Sequence, residues 1–182
     1  MIIGQKNMRA ALLTAALVAT VFGATGAGPA VAEGAKAQTP TVGPVTGLKM
    51  PRFVSIKGKE ANARRGPGLD HRIDWVFVRE NLPVRVVAEF EHWRRVEDMD
   101  GAGGWMHYAL LSGNRTAIVS PGVLVMRYSP KTTDHAKAKL PPGVVAMIEE
   151  CDGLWCKISV GEKVGWVLQS GLWGTDADEV ID

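Results

Sequence analysis

Four histidines, two cysteines, an arginine–glycine turn and one acidic cluster are the residues of this 182-residue chain with the chemistry to catalyse or coordinate. His71, His92, His107 and His135 are scattered and show no H-E-x-x-H or other close metal spacing, so surface or packing roles are expected and no metal site is predicted. A hydrolase needs a nucleophile oriented by a base, and the exposed-serine G-x-S-x-G elbow is absent. Pairing Cys151 or Cys156 with a distant histidine is disfavoured, because both cysteines flank a predicted hairpin turn. The run RRGPG at Arg64 to Gly68 has backbone N–H groups and guanidinium for an oxyanion, but lacks the glycine-lysine-serine/threonine pattern and a following helix; it reads as a strand-ending turn. Glu97, Asp98 and Asp100 fall short of a calcium loop's ligand spacing and read as a solvated turn. These observations predict a protein that binds rather than catalyses, with no cofactor.

The elements that position such residues begin after a targeting segment. Lys6 and Arg9 precede an apolar run from Ala10 to Ala24 and a small-residue ending, Ala30-Val31-Ala32. This pattern predicts a signal peptide over residues 1–32, with cleavage after Ala32 and Ala27 as the weaker site. The 15-residue run is short of the ~20 residues that a membrane-spanning helix needs, so no membrane anchor is expected after cleavage. The expected location is periplasmic or secreted. Removing residues 1–32 takes away two basic groups and no acid, lowering the formal charge from +2 to 0. Without a strong positive field, a nucleic-acid partner is not expected. Residues 33–50, rich in Ala, Gly, Thr and Pro without strand or helix period, predict a flexible leader, and residues 175–182 a frayed acidic tail.

Between these ends the chain repeats itself. Arg64 and Pro67 answer Arg127 and Pro130, Trp93 answers Trp155, Gly104-Trp105 answers Gly165-Trp166, and Leu111 and Gly113 answer Leu172 and Gly174. The offset drifts only from 63 to 61, so each copy is about 60 residues long. Within a copy the segments are short, β-rich and punctuated by Gly, Pro, Asn or Asp, and two consecutive hairpins predict an all-β closed barrel. In HWRRVED, Trp93, Arg95 and Glu97 share one strand face, with Arg94, Val96 and Asp98 on the other. The repeated tryptophans are assigned to core packing, whereas Trp75 and Trp173, which lack counterparts, are assigned exposed or interdomain roles. The short connection from Leu111 to Thr116 predicts that the copies pack together.

The combination of NARRGPG, LPVRVVAEFEHWRRVED and GWMHYALLSGNRTAIV with the later CDGLWCKISVGEKVGWV resembles the tandem bacterial SH3 family of exported proteins, over roughly residues 51–174. The resemblance implies two tandem small SH3-like β-barrels, at 51–113 and 114–174, and a targeting or cell-wall-binding role. Ser129 replaces the glycine before the proline in the second copy and Tyr128 replaces Arg65, so a ligand site at this motif is expected in copy one. Its candidate residues are Asn62, Arg64, Arg65, Trp75 and Tyr108, a polar-aromatic groove suited to sugar rings or peptide stems and their carboxylates. The expected partner is peptidoglycan or another envelope component; the alternative is an accessory protein that binds another exported protein. Cys151 and Cys156 flank a four-residue turn, are the only cysteines and are expected in an oxidising compartment, which predicts a disulfide over two reduced apolar thiols.

Overall fold

The computed structural model describes residues 41–182; the predicted signal peptide and the start of the leader lie outside the described residues. A short hairpin of β1 (Thr41–Val42) and β2 (Lys49–Met50) comes first. The first barrel comprises β3 (Arg52–Ile56), β4 (Ala61–Arg64), β5 (Ile73–Phe77), β6 (Pro83–Phe90), β7 (Trp93–Glu97), β8 (Gly103–His107) and β9 (Leu111–Ser112). The second repeats the plan with β10 (Thr116–Val119), β11 (Leu124–Arg127), β12 (Ala136–Leu140), β13 (Val145–Asp152), β14 (Trp155–Val160), β15 (Lys163–Leu168) and β16 (Leu172–Trp173), followed by β17 (Val180–Ile181). All pairing is antiparallel, in the orders β5-β4-β8-β7-β6-β3-β9 and β12-β11-β15-β14-β13-β10-β16. The predicted closed barrel needs one correction: each sheet coils around its core, but its end strands do not pair, so the ladder stays open at β5 and β12.

Each sheet wraps its own core. Ile56, Val84, Val86, Val96 and Met106 are fully buried in the first, and Met126, Cys156, Ile158 and Val167 in the second. Glycine precedes the repeated tryptophan because the β4 backbone comes close where β8 pairs with it: Gly104 has φ 154°, and a Cβ on it would stand 2.5 Å from the Arg64 carbonyl oxygen. In the second copy a Cβ on Gly165 would meet the Arg127 carbonyl oxygen at 2.7 Å.

The ends of the chain differ from the expectation. The leader expected to be flexible over 33–50 is folded from Thr41 onward, because the Glu89 carboxylate accepts hydrogen bonds from Val45 N (3.1 Å), Thr46 N (3.0 Å) and Thr46 Oγ1 (2.7 Å). Gly43 lies under that carboxylate, where a Cβ would come within 2.5 Å of Glu89 Oε2. The tail expected to fray is held instead: β17 pairs with β13, Glu179 forms a two-pronged ion pair with Arg115 (2.8 and 2.9 Å), and Gln169 Nε2 donates to the carbonyls of Asp176 and Glu179. The copies pack together, with Phe53 edge-on to Trp173 at 5.1 Å and Arg79 Nη1 donating to Gly143 O at 2.7 Å. Trp173 thereby takes the interdomain place assigned to it.

Candidate functional site

Strand alternation decides which side chains leave the core. Along β7, Arg94 and Val96 are buried, so Trp93, Arg95 and Glu97 point outward; the register with β8 sets Trp93 opposite His107, Arg95 opposite Trp105 and Glu97 opposite Gly103. Trp93 and Trp105 are half-buried on this outer face. That corrects their assignment to the core of copy one, which is filled by smaller side chains. In copy two Trp155 is buried, although it too lies on the face opposite Cys156 and Ile158, and Trp166 is half-buried.

At one end of this face Arg64, Arg65, Asp74, Arg95, Gly103, Gly104 and Trp105 line a shallow depression of about 310 Å³. A β-bulge builds it: Ala63 pairs with Trp75 but Arg64 with Ile73, leaving Asp74 as the extra residue, re-aimed toward the arginines. Asp74 accepts from Arg65 Nε (2.9 Å) and Arg72 Nε (2.7 Å), and these two bonds hold its carboxyl below the usual range. Arg64 is committed elsewhere, donating to the carbonyls of Leu69 (3.0 Å) and His71 (2.7 Å) and so pinning the β4–β5 loop; Arg127 does the same in copy two through Asp134 O. Arg64 is therefore a positioning residue. Exposed Arg95 makes no ion pair among the described residues.

Two residues further along each strand, ~7 Å away, the face turns aromatic. His107 lies 5.6 Å from Trp93, 4.9 Å from Tyr108 and 6.0 Å from His92, ring centre to ring centre, and Tyr108 is 51% exposed. Of the predicted groove, then, Arg64 and Arg65 line the depression and Tyr108 belongs to the aromatic end. Asn62 is half-buried opposite Val76, and Trp75 is exposed on β5, packed on Phe77; neither lines the depression. Sequence reasoning missed Arg95, Trp105, Trp93 and His107, although its own alternation of HWRRVED placed Trp93 and Arg95 on one face.

The second copy carries the same plan with its site closed. Lys157, the counterpart of Arg95, is held by Glu149 (3.4 Å) and Glu150 (3.5 Å). The Arg65–Asp74 pair is replaced by Tyr128 with Lys137 over its ring at 5.0 Å. At the end corresponding to the aromatic cluster, a depression of about 320 Å³ is lined by the chain's own Thr175–Asp178 together with Leu154 and Gln169. The acidic cluster is a turn, in which Asp98 Oδ1 accepts from Asp100 N and Ala102 N. The predicted disulfide is present between Cys151 and Cys156, directly opposite one another on β13 and β14, with Cα atoms 4.1 Å apart.

Two small coiled β-sheets in tandem, with outward aromatic and basic groups and no α-helix among the described residues, define a tandem binding-module architecture. The chain belongs to the bacterial SH3 domain family, whose model matches it twice, over residues 57–113 and 120–174. Members are binding modules, usually non-catalytic and often directed at the cell wall. Among solved structures the chain is similar to NlpC2 from Trichomonas vaginalis (15% identity, 68% of this chain and 48% of that one, TM-score 0.32). It is likewise similar to NlpC1 from the same organism (15% identity, 72% and 48%, TM-score 0.32). The chain thus spans about half the length of these proteins. No curated protein matches it.

Proposed function

We propose that this protein is an exported, non-catalytic module that associates with peptidoglycan or a similar anionic envelope polymer through the outer face of β7 and β8 in its first barrel. The observation that carries this reading is the contrast between copies: Arg95, beside Trp105, makes no ion pair among the described residues, whereas Lys157 beside Trp166 is neutralised by two glutamates. Arg95 and Arg65 offer charge-assisted hydrogen bonds to a stem-peptide carboxylate, and Trp105, Trp93, His107 and Tyr108 offer ring faces to sugar or peptide. Export rests on the N-terminal pattern of Lys6, Arg9 and the Ala10–Ala24 run, and agrees with a disulfide that persists in oxidising compartments. The test is co-sedimentation with purified sacculi. Arg95→Ala and Trp105→Ala should each weaken binding about tenfold, while Lys157→Ala in the second barrel leaves it unchanged. Equal retention of all three variants, with folding verified by circular dichroism, would sink the placement; capture of an exported protein instead of sacculi would favour the accessory role.

A further inference from the structure

Gln169 opens the short turn between β15 and β16, where the first barrel has the exposed Tyr108. Only 5% of Gln169 is exposed, and nearly every polar group it carries is used. Its backbone N donates to Leu154 O at 2.9 Å, its carbonyl accepts from the Leu172 N–H, and Nε2 donates to the carbonyls of Asp176 (3.2 Å) and Glu179 (3.1 Å). Oε1 alone is left without a partner among the described residues. Holding the tail takes only the donor end of this amide, and a buried acceptor without a donor costs free energy until one arrives.

Gln169 lines the depression of about 320 Å³ that the tail forms with the second barrel. The rest of its wall is divided by chemistry: Leu154 and Leu172 are apolar, Asp176 and Asp178 are acidic, and no basic residue joins them among the described residues. Asp176 is shared with the Lys49 ammonium at 3.4 Å. Asp178 is exposed and makes no ion pair among the described residues. An apolar wall beside unsatisfied acceptors calls for a ligand with a hydrocarbon stem and a positively charged donor.

We propose that this depression binds a primary ammonium at the end of a short aliphatic stem, the chemistry of a lysine or other diamino-acid side chain. The three N–H bonds of an ammonium suit the Gln169 carbonyl and the Asp178 carboxylate together, while the stem packs on Leu154 and Leu172. The tail already receives one ammonium, that of Lys49, through Asp176. The site is separate from the proposed envelope-binding face on β7 and β8 and does not rest on it. There arginines receive carboxylates, so the two barrels select opposite charges.

Nuclear magnetic resonance titration of the intact, oxidised chain tests the assignment, with n-butylammonium and Nα-acetyl-lysine amide as probes and n-butanol as the uncharged comparison. Both ammonium probes should shift the Gln169 side-chain amide and the Asp178 backbone amide saturably, and n-butanol should not. Raised salt should weaken the effect. Asp178→Asn should raise the dissociation constant about fivefold with the fold intact, because Asp178 has φ 57°, a conformation that asparagine adopts readily. Free lysine run against the blocked amide separates the sources: tighter binding of the free amino acid assigns a small molecule, tighter binding of the blocked form a peptide. Absence of a saturable shift, equal shifts from n-butanol, shifts confined to Trp93 and Tyr108 in the first barrel, or an unchanged dissociation constant in Asp178→Asn would each overturn the proposal. None of these outcomes bears on sacculus binding through β7 and β8.

Discussion

Glu89→Gln is the substitution that most directly tests how the first barrel holds its N-terminal hairpin. The Glu89 side chain is fully buried and takes three hydrogen bonds from Val45 and Thr46 and one from Arg52 Nη2 at 2.7 Å, with Arg94 Nε at 3.5 Å. Burial alone would raise its pKa; the Thr46 hydroxyl and amide, the Arg52 guanidinium and the Val45 amide outweigh burial and bring it down from 4.5 to about 2. That gap corresponds to roughly 3 kcal/mol of stabilisation by the ionised form. Because the folded value lies below the unfolded one, this contribution is fully present above the unfolded pKa of 4.5 and is lost as the pH falls through about 2. Glutamine keeps an acceptor but leaves two guanidinium groups, on Arg52 and Arg94, without their buried counter-charge. The variant should therefore lose about 3 kcal/mol at neutral pH, and the difference from wild type should shrink toward zero near pH 2. Urea denaturation of both proteins at a series of pH values, followed by tryptophan fluorescence, measures that difference; acid-sensitive groups common to both, such as Asp74 and Glu179, cancel in it. Hydrogen exchange should show the Val45 and Thr46 amides deprotected in the variant and the second barrel unaffected. Parallel stability curves down to pH 2, or unchanged protection at Val45 and Thr46, would refute the clamp.

Two further outcomes follow from the second barrel. Replacing both Cys151 and Cys156 by alanine opens a loop of only five residues' separation, so the loss should be about 2 kcal/mol or less, read as a lowered denaturation midpoint matched by the wild type in reductant. Ending the chain after Gly174 removes β17, the partner of Arg115 and both acceptors of the Gln169 amide; the Cys151 and Asp152 amides should then exchange faster while those of β6 and β7 do not change.

The architecture was legible because its signals are local and repeated. Gly104-Trp105 and Gly165-Trp166 recur for a steric reason, the close backbone approach where β8 pairs with β4 and β15 with β11, and the cysteines stand at the mouth of one hairpin turn. The N-terminal hairpin was not legible. Its composition is that of a linker, and it is ordered by a carboxylate more than 40 residues away. The outward placement of Trp93 was not legible, because polarity and burial part company there: Arg94 is buried where Glu89 and the carbonyls of Glu91 and Trp93 receive it, which turns Trp93 outward. Arg64 looked like a ligand donor because its loop acceptors, the Leu69 and His71 carbonyls, are set by backbone path rather than by side-chain type.

Glu89 and Arg94 face one another across β6 and β7, and 62 residues on, at the same place in the second barrel, stand Cys151 and Cys156. One copy fastens this hairpin with a buried ion pair and the other with a covalent bond. The first fastening yields to protons and is indifferent to reductants; the second yields to electrons and is indifferent to acid. At this one hairpin, acid therefore releases the fastening of the first barrel and leaves its counterpart in the second intact, whereas reductant does the reverse.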